Sequence, residues 1–347
     1  MLTSVQSRPS PWPHRLAVAL ALVTFPLIWV GGLVTTYDAG MAVPDWPGTY
    51  GYNLLRYPWQ TWIAGPWDLF IEHGHRLLGA LTGFLSIALV AVVLTVDRRR
   101  WVVFASAGAL VLVILQGILG GARVLLDERL IALVHGCVGP LFFAYLAGLV
   151  VATSRWWDHA THLRTEAGNR YARSAWMLAG VAYIQLFLGA LLRHVPLTSA
   201  PALFRAALFM HLIVAAALTF HVTTVAWRLR TLPTEAHGLR GPALIATALM
   251  MLQIALGLAT YVAKYAFPAW LNDYAFAANF IIQEKSLGQS LITTAHVANG
   301  SLILFVSVVL AFRATRLFHV GQAASLPRHK TQGDKLAACR YTVRAAA

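Results

Sequence analysis

Composition and charge narrow the class of molecule before any motif is considered. The chain has 347 residues, of which 58% are hydrophobic and only 12% charged, whereas soluble domains contain about 25% charged residues. A net charge of +14 could indicate binding to nucleic acid, but the distribution of the basic residues argues against this. Of the 27 Lys and Arg residues, 19 fall on one predicted side of a membrane, in the terminal segments and alternate connections. We therefore expect no nucleic-acid partner and no large soluble domain.

Eight apolar segments are each long enough to cross a bilayer, which takes about 20 helical residues. They occupy residues 15–36, 74–96, 101–122, 130–153, 174–193, 206–227, 242–264 and 290–313. We predict an all-α integral membrane protein whose eight transmembrane helices form two pseudo-symmetric four-helix bundles, within residues 1–153 and 174–313. The bias in basic residues predicts the cell inner membrane with both termini cytoplasmic, and residues 318–347 read as a disordered basic tail.

An internal repeat supports the two-bundle prediction. Three odd-numbered spans carry a glutamine four residues before a glycine, namely Gln116 and Gly120, Gln185 and Gly189, and Gln253 and Gly257. The first span keeps only the glycine end, Gly31-Gly32. Each odd span is followed by an outer connection, the longest predicted over 37–72, and then by an even span. The repeating unit is thus a helix pair present four times.

Each even span carries a histidine near its beginning. These are His75, His135, His211 and His296. Ionisable groups inside a membrane are costly and usually functional, and neutral imidazole is a good axial ligand for haem iron. We therefore pair the histidines within each half, as His75 with His135 and His211 with His296. Arg76, Arg129 and Arg205 lie at the level where haem propionates would need basic partners, and the last two each precede a histidine by six residues.

Other interpretations of these residues stay open at this point. A histidine in a membrane helix can simply hydrogen-bond a neighbouring helix. The Glu72-x-x-His75 spacing also suits zinc or a di-iron centre, although the latter needs further carboxylates. Glu72 shares a helix face with His75, where it could move protons or stabilise a cation, or simply sit at the positive end of the helix dipole.

Three motifs resemble those of the haem A synthase family. They are Gly31-Gly32-Leu33-Val34-Thr35-Thr36, then Gly40-Met41-Ala42-Val43-Pro44-Asp45-Trp46-Pro47, then Glu72-His73-Gly74-His75-Arg76-Leu77-Leu78-Gly79. The resemblance extends over all eight spans and the four histidines. It implies oxidation of the haem O ring methyl to a formyl group, giving haem A for cytochrome oxidase.

The resemblance also implies a division of labour. His75 and His135 would hold the substrate haem, with Glu72 as the catalytic acid, and His211 and His296 would hold a haem b cofactor. The implied partners are haem O synthase and an unidentified electron donor. Many members carry two cysteines where this chain has Val43 and Thr49, which predicts a cysteine-free branch. Two different functions remain possible from the residues alone, a di-haem b electron-transfer cytochrome and a repeat-built transporter.

Overall fold

The fold is built from eight long helices. In the computed structural model, which describes residues 10–97, 99–163, 165–195 and 200–318, no β-strand is present. All eight helices are long and apolar enough to cross a membrane, which confirms the predicted all-α membrane class. The helices are α1 (Trp12–Thr36), α2 (Trp67–Val96), α3 (Arg100–Leu126), α4 (Arg129–Ala152), α5 (Glu166–His194), α6 (Pro201–Arg228), α7 (Arg240–Tyr265) and α8 (Leu287–Phe318).

The helices begin where the local sequence favours it. Proline precedes α2 at Pro66 and opens α6 at Pro201, positions that tolerate its missing N–H. The side chain of Thr165 caps α5 by accepting the N–H of Gly168. The connection from α1 to α2 is the longest with structure of its own, and includes two 3-10 turns and the short helix Trp59–Ile63.

The helices pack in two groups that follow chain order. In the first group, α2 and α4 each contact both α1 and α3, and in the second, α6 and α8 each contact both α5 and α7. One apolar core lies among α1 to α4 and another mainly among α5 to α8. Phe143 of α4 stacks on Phe305 of α8 where the groups meet, with ring centroids 4.5 Å apart. The division at 1–153 and 174–313, and the pseudo-symmetry, stay predictions.

The first outer connection and the tail differ in how their predicted boundaries compare with the structure. The predicted outer connection 37–72 was wrong at its end, because α2 already begins at Trp67 and carries Glu72 in its second turn. Pro66 supplies the start signal that hydropathy alone does not register. Cys137 is buried and forms no disulfide within the part of the chain that the structure describes. The predicted tail 318–347, with Cys339, lies outside the described residues except for Phe318, which ends α8.

Candidate functional site

The structure brings the first predicted histidine pair together. The imidazoles of His75 on α2 and His135 on α4 have ring centroids 6.4 Å apart and planes at 81°. Both side chains are partly buried, and the Nδ1 atom of each has no hydrogen-bond partner in the described chain. Two unsatisfied ring nitrogens in an apolar bundle are costly unless a ligand completes them.

The second predicted pair has the same separation. His211 on α6 and His296 on α8 have ring centroids 6.4 Å apart and planes at 62°. Both pairs lie near the beginnings of even helices, at the end of the molecule where the odd-to-even connections lie. We call this end the histidine side.

A glycine on the preceding odd helix makes room for each histidine. A Cβ placed on Gly31 of α1 would lie 2.7 Å from Cε1 of His75, too close for any real contact. The other three pairings are Gly120 with His135 at 3.1 Å, Gly189 with His211 at 3.2 Å, and Gly257 with His296 at 3.1 Å. The glycines of the repeat therefore seat the imidazoles, which is a more specific role than general helix packing.

The glutamines of the repeat contact the same histidines, a role that the sequence analysis missed. Nε2 of Gln116 donates to the carbonyl of His135 at 2.8 Å, and Nε2 of Gln253 donates to that of His296 at 3.0 Å. Nε2 of Gln185 lies 3.1 Å from Nε2 of His211. Four residues before Gly31 stands Leu27 instead, so His75 is the histidine whose seat lacks a glutamine.

Glu72 is buried beside the first pair with half of its carboxylate unpaired. Its Oε1 accepts a hydrogen bond from Nε of Arg76 at 3.1 Å, while Oε2 has no partner in the described chain. The side chain of Glu72 is 4% exposed and that of Arg76 8%. Glu72 lies one turn before His75 on the same helix face, as predicted.

Arg76, one of the predicted propionate contacts, holds the first connection in place. Its Nη1 donates to the carbonyls of Asp45 and Gly48, each at 2.6 Å, and its Nη2 to that of Val43 at 2.8 Å. With the bond to Glu72, four of its five N–H donors are used. The side chain thus ties the buried acid to the loop.

The rest of this loop closes over the first group. The ring of Trp46 lies against Gly121 of α3, beside Gly120, and leaves no room for a Cβ there. Val43 and Thr49, the two positions on which the predicted cysteine-free branch rests, are both fully buried. Oγ1 of Thr49 hydrogen-bonds Nδ1 of His73 at 2.9 Å. His73 faces this loop, which leaves His75 for the pair.

The other predicted basic residues are less enclosed. Arg129, the first residue of α4, and Arg205 of α6 are exposed, and neither side chain forms a hydrogen bond or ion pair within the described residues. Two further arginines are less exposed. Arg123 of α3 donates to the carbonyl of Gly40, and Arg193 of α5 donates to the carbonyl of Gly32 and to Thr36.

The donor set fits haem better than a bare metal ion. In the described chain, no three His, Cys, Asp or Glu side chains gather as metal ligands, whereas structural zinc takes four. Haem iron needs only the two axial ligands from the protein. Metal–imidazole bonds are about 2 Å long, so two of them plus the ring radii span about 6 Å, close to both observed separations.

Fold and site together define a multi-pass membrane protein whose helices bring histidines together in two pairs. Comparison with known proteins places it more narrowly. The COX15-CtaA family, described as cytochrome oxidase assembly protein, matches residues 14–201, and the chain belongs to this family.

Individual relatives agree with the family match. A protein named heme A synthase from Symbiobacterium thermophilum is 30% identical over 262 residues, which cover 68% of this chain and 81% of that protein. A heme A synthase from Listeria monocytogenes is 30% identical over 140 residues, covering 40% of this chain and 43% of the relative. One from Staphylococcus aureus is 28% identical over 138 residues, covering 39% and 41%. The cysteine-free branch stays a prediction.

Proposed function

We propose that this protein is a haem A synthase, which oxidises the haem O ring methyl to a formyl group for cytochrome oxidase. The observation that carries the proposal is the arrangement at the first pair, where a buried carboxylate with one unpaired oxygen lies one turn from an imidazole seated on glycine. Family membership and the relatives' names support the same reaction. Nothing among them favours the di-haem b cytochrome.

The two pairs have different surroundings, which supports giving them different tasks. His75 and His135 have Glu72 and the aromatic loop beside them, and we assign them to the substrate, haem O. His211 and His296 lie among apolar helices, and we assign them to a resident haem b. When bound, that haem b would supply one-electron transfer.

Glu72 has the features of a group that handles protons or positive charge. Arg76 fixes Oε1, which orients the carboxylate and leaves Oε2 directed elsewhere. A carboxylate held in a low-dielectric site interacts strongly with any cationic centre that develops nearby. It can also accept a proton released as an external oxidant converts the substrate methyl in two hydroxylations to a gem-diol, which then loses water to leave the formyl group.

The seat of His75 differs from the other three in a way that suits a substrate. Gln116, Gln185 and Gln253 each hold the backbone or ring of a histidine, but Leu27 offers no side-chain donor to His75. His75 is therefore held by fewer side-chain contacts than the other three histidines, and a ligand that can shift more readily suits a haem that must enter and leave. Both histidines of the second pair have a glutamine contact, which suits a permanent cofactor.

Orientation and partners follow from charge and from the reaction. The helix ends opposite the histidine side carry Arg155, Arg228, Arg230 and Arg240, so we assign that side to the cytoplasm and the protein to the inner membrane. Both termini would then be cytoplasmic, and the histidine side faces outward. Haem O synthase, as the supplier of substrate, and an electron donor are the expected partners.

The test is the haem content of a single variant. Glu72→Gln, expressed with a supply of haem O, should purify with haem at both sites but without haem A, as judged by mass after extraction. Asp68→Asn is the matched control, because Asp68 is an exposed acid one turn earlier on α2. It should form haem A normally.

Three results would contradict the proposal. Normal haem A output from Glu72→Gln would remove the catalytic role of the acid. Haem b as the sole haem of the wild-type protein would favour the electron-transfer cytochrome. A colourless protein would favour a transporter in which the histidines serve a proton path.

A further inference from the structure

Arg123 is a cation near the first histidine pair that the proposed reaction does not use. Arg123 lies on α3 three residues after Gly120, which seats His135, so both residues share a helix face. Arg123 lies one helical turn closer to the histidine side than Gly120 does. It lies close enough to Glu72, His75 and His135 for its charge to act on all three.

The side chain of Arg123 is held in place by the first connection. Its Nη2 donates to the carbonyl of Gly40 at 2.8 Å. A Cβ on Gly40 would overlap this same guanidinium, so the absence of a side chain there makes the contact possible. A long, flexible side chain fixed at its charged end is preorganised for binding, because little rotamer entropy remains to be lost.

The guanidinium of Arg123 has N–H donors that bond nothing within the described residues. Nε and Nη1 of Arg123 have no hydrogen-bond partner in the described part of the chain, and no described carboxylate lies within ion-pair distance of it. The nearby acid Glu72 is already paired with Arg76. A partly buried cation without a counter-ion is unfavourable, and an anion supplied from outside the chain would relieve this.

The three arginines predicted to contact propionates suit such an anion less well. Four of the N–H donors of Arg76 already bond Glu72 and the loop. Arg129 is exposed at the start of α4, and Arg205 belongs to the second group of helices. Haem carries its propionate carboxylates on one edge, and guanidinium is the side chain whose geometry best matches a carboxylate.

We propose that Arg123 binds a propionate carboxylate of the haem held between His75 and His135. This rests on the proposed function, since it takes that pair to be the substrate site. That contact would orient the haem held by His75 and His135. It would thereby determine which ring methyl faces Glu72.

The test compares two probes, haemin and its dimethyl ester, which lacks free propionates. Both are titrated by absorbance into full-length protein carrying His296→Ala, which removes the second site. We expect this parent protein to bind haemin about tenfold more tightly than the ester, and Arg123→Gln to bind both alike. Arg56→Gln is the matched control, because Arg56 is an exposed arginine of the same connection, and it should keep the preference.

Each outcome decides between the two proposals. A parent protein that binds neither probe overturns both the substrate-site assignment and the role of Arg123. Binding with an unchanged preference for haemin in Arg123→Gln overturns only the role of Arg123. Should Arg123→Gln fail to fold, Gly40→Ala carries the test, since its methyl displaces the guanidinium. If Gly40→Ala preferred haemin over the ester as strongly as the parent protein does, the proposal would also be overturned.

Discussion

The carboxylate of Glu72 and the guanidinium of Arg76 form a buried ion pair, one turn apart on α2, with Nε and Oε1 3.1 Å from each other. The same guanidinium also bonds three carbonyls of the connection between α1 and α2. The acid beside the first histidine pair and the loop above it therefore share one anchor. A change at either end is transmitted to the other through a single side chain.

Removing Arg76 should be strongly destabilising. In Arg76→Gln the buried carboxylate of Glu72 loses its counter-charge, which costs about 3–5 kcal/mol in other buried pairs. Unfolding of the protein in detergent by a denaturant series gives the free energy. The matched control is Arg170→Gln, because Arg170 and Glu166 have the same i, i+4 spacing, at 3.9 Å, but are exposed. That change should cost no more than about 0.5 kcal/mol.

A second substitution separates charge from loop anchoring. Glu72→Gln combined with Arg76→Gln removes both charges, so it should recover part of the stability that Arg76→Gln loses. Equal losses for the single and double variants would show that the loop bonds of Arg76, rather than its charge, dominate.

Of the four contacts between a glycine and a histidine, the one at Gly31 should be the most sensitive to substitution. Its added methyl would lie 2.7 Å from Cε1 of His75, so Gly31→Ala must displace the imidazole. We expect loss of haem from the first site with the second site retained, measured as haem per protein. Gly117→Ala on α3 is the control, because a Cβ there meets nothing within 4 Å. That variant should keep its haem and gain up to about 1 kcal/mol of helix stability. Full haem occupancy in Gly31→Ala would refute the seating role.

Gln253 should matter for retention of haem at the second site. Asn299 fixes the glutamine by donating to its Oε1 at 2.7 Å, and the glutamine in turn holds the backbone of His296. Loss of such support typically lowers metal affinity about 10–100-fold, so Gln253→Leu should release haem from this site during dilution. Gln289→Leu is the control, because Gln289 also joins α8 to α7, through the carbonyl of Ala263, but two turns away. Equal retention by the two variants would contradict the prediction.

The parts predicted from the sequence and the parts missed differ in a physical way. Span number and the pairing of His75 with His135 follow from hydropathy and from a repeat, which are periodic features of the chain itself. The bonds from Arg76 to Val43, Asp45 and Gly48 depend on how an irregular loop folds back, and no periodicity encodes that. Arg123 was missed because an arginine near a helix end is usually explained by the membrane interface alone.

The role of the glutamines could be predicted only in part. Their spacing before glycine was visible in the sequence, but the residues they contact lie on the next helix. Only the structure shows that the glutamine and the glycine of α3, of α5 and of α7 contact the same histidine.

The turn at the tip of the loop should be insensitive to pH until strongly acidic conditions. Asp45 accepts the N–H of Tyr50 at 2.7 Å and that of Gly51 at 2.9 Å. Burial acts to raise the pKa of this carboxyl, but the N–H bonds from Gly51 and Tyr50 and the charge of Arg76 outweigh it and hold the pKa below its ordinary value of 3.8.

A carboxyl whose pKa is lowered by folding stabilises the folded loop above its unfolded pKa, and this contribution is lost as the pH falls through the lower folded value. Hydrogen exchange of the peptide containing Tyr50 and Gly51, corrected for intrinsic rates, should therefore show constant protection from pH 8 to about pH 5 and a decline only below the ordinary value of 3.8. Asp45→Asn, with one acceptor oxygen in place of two, should exchange faster at every pH and show no such decline. Loss of protection in the wild-type loop between pH 7 and pH 5 would mean that another group controls the turn.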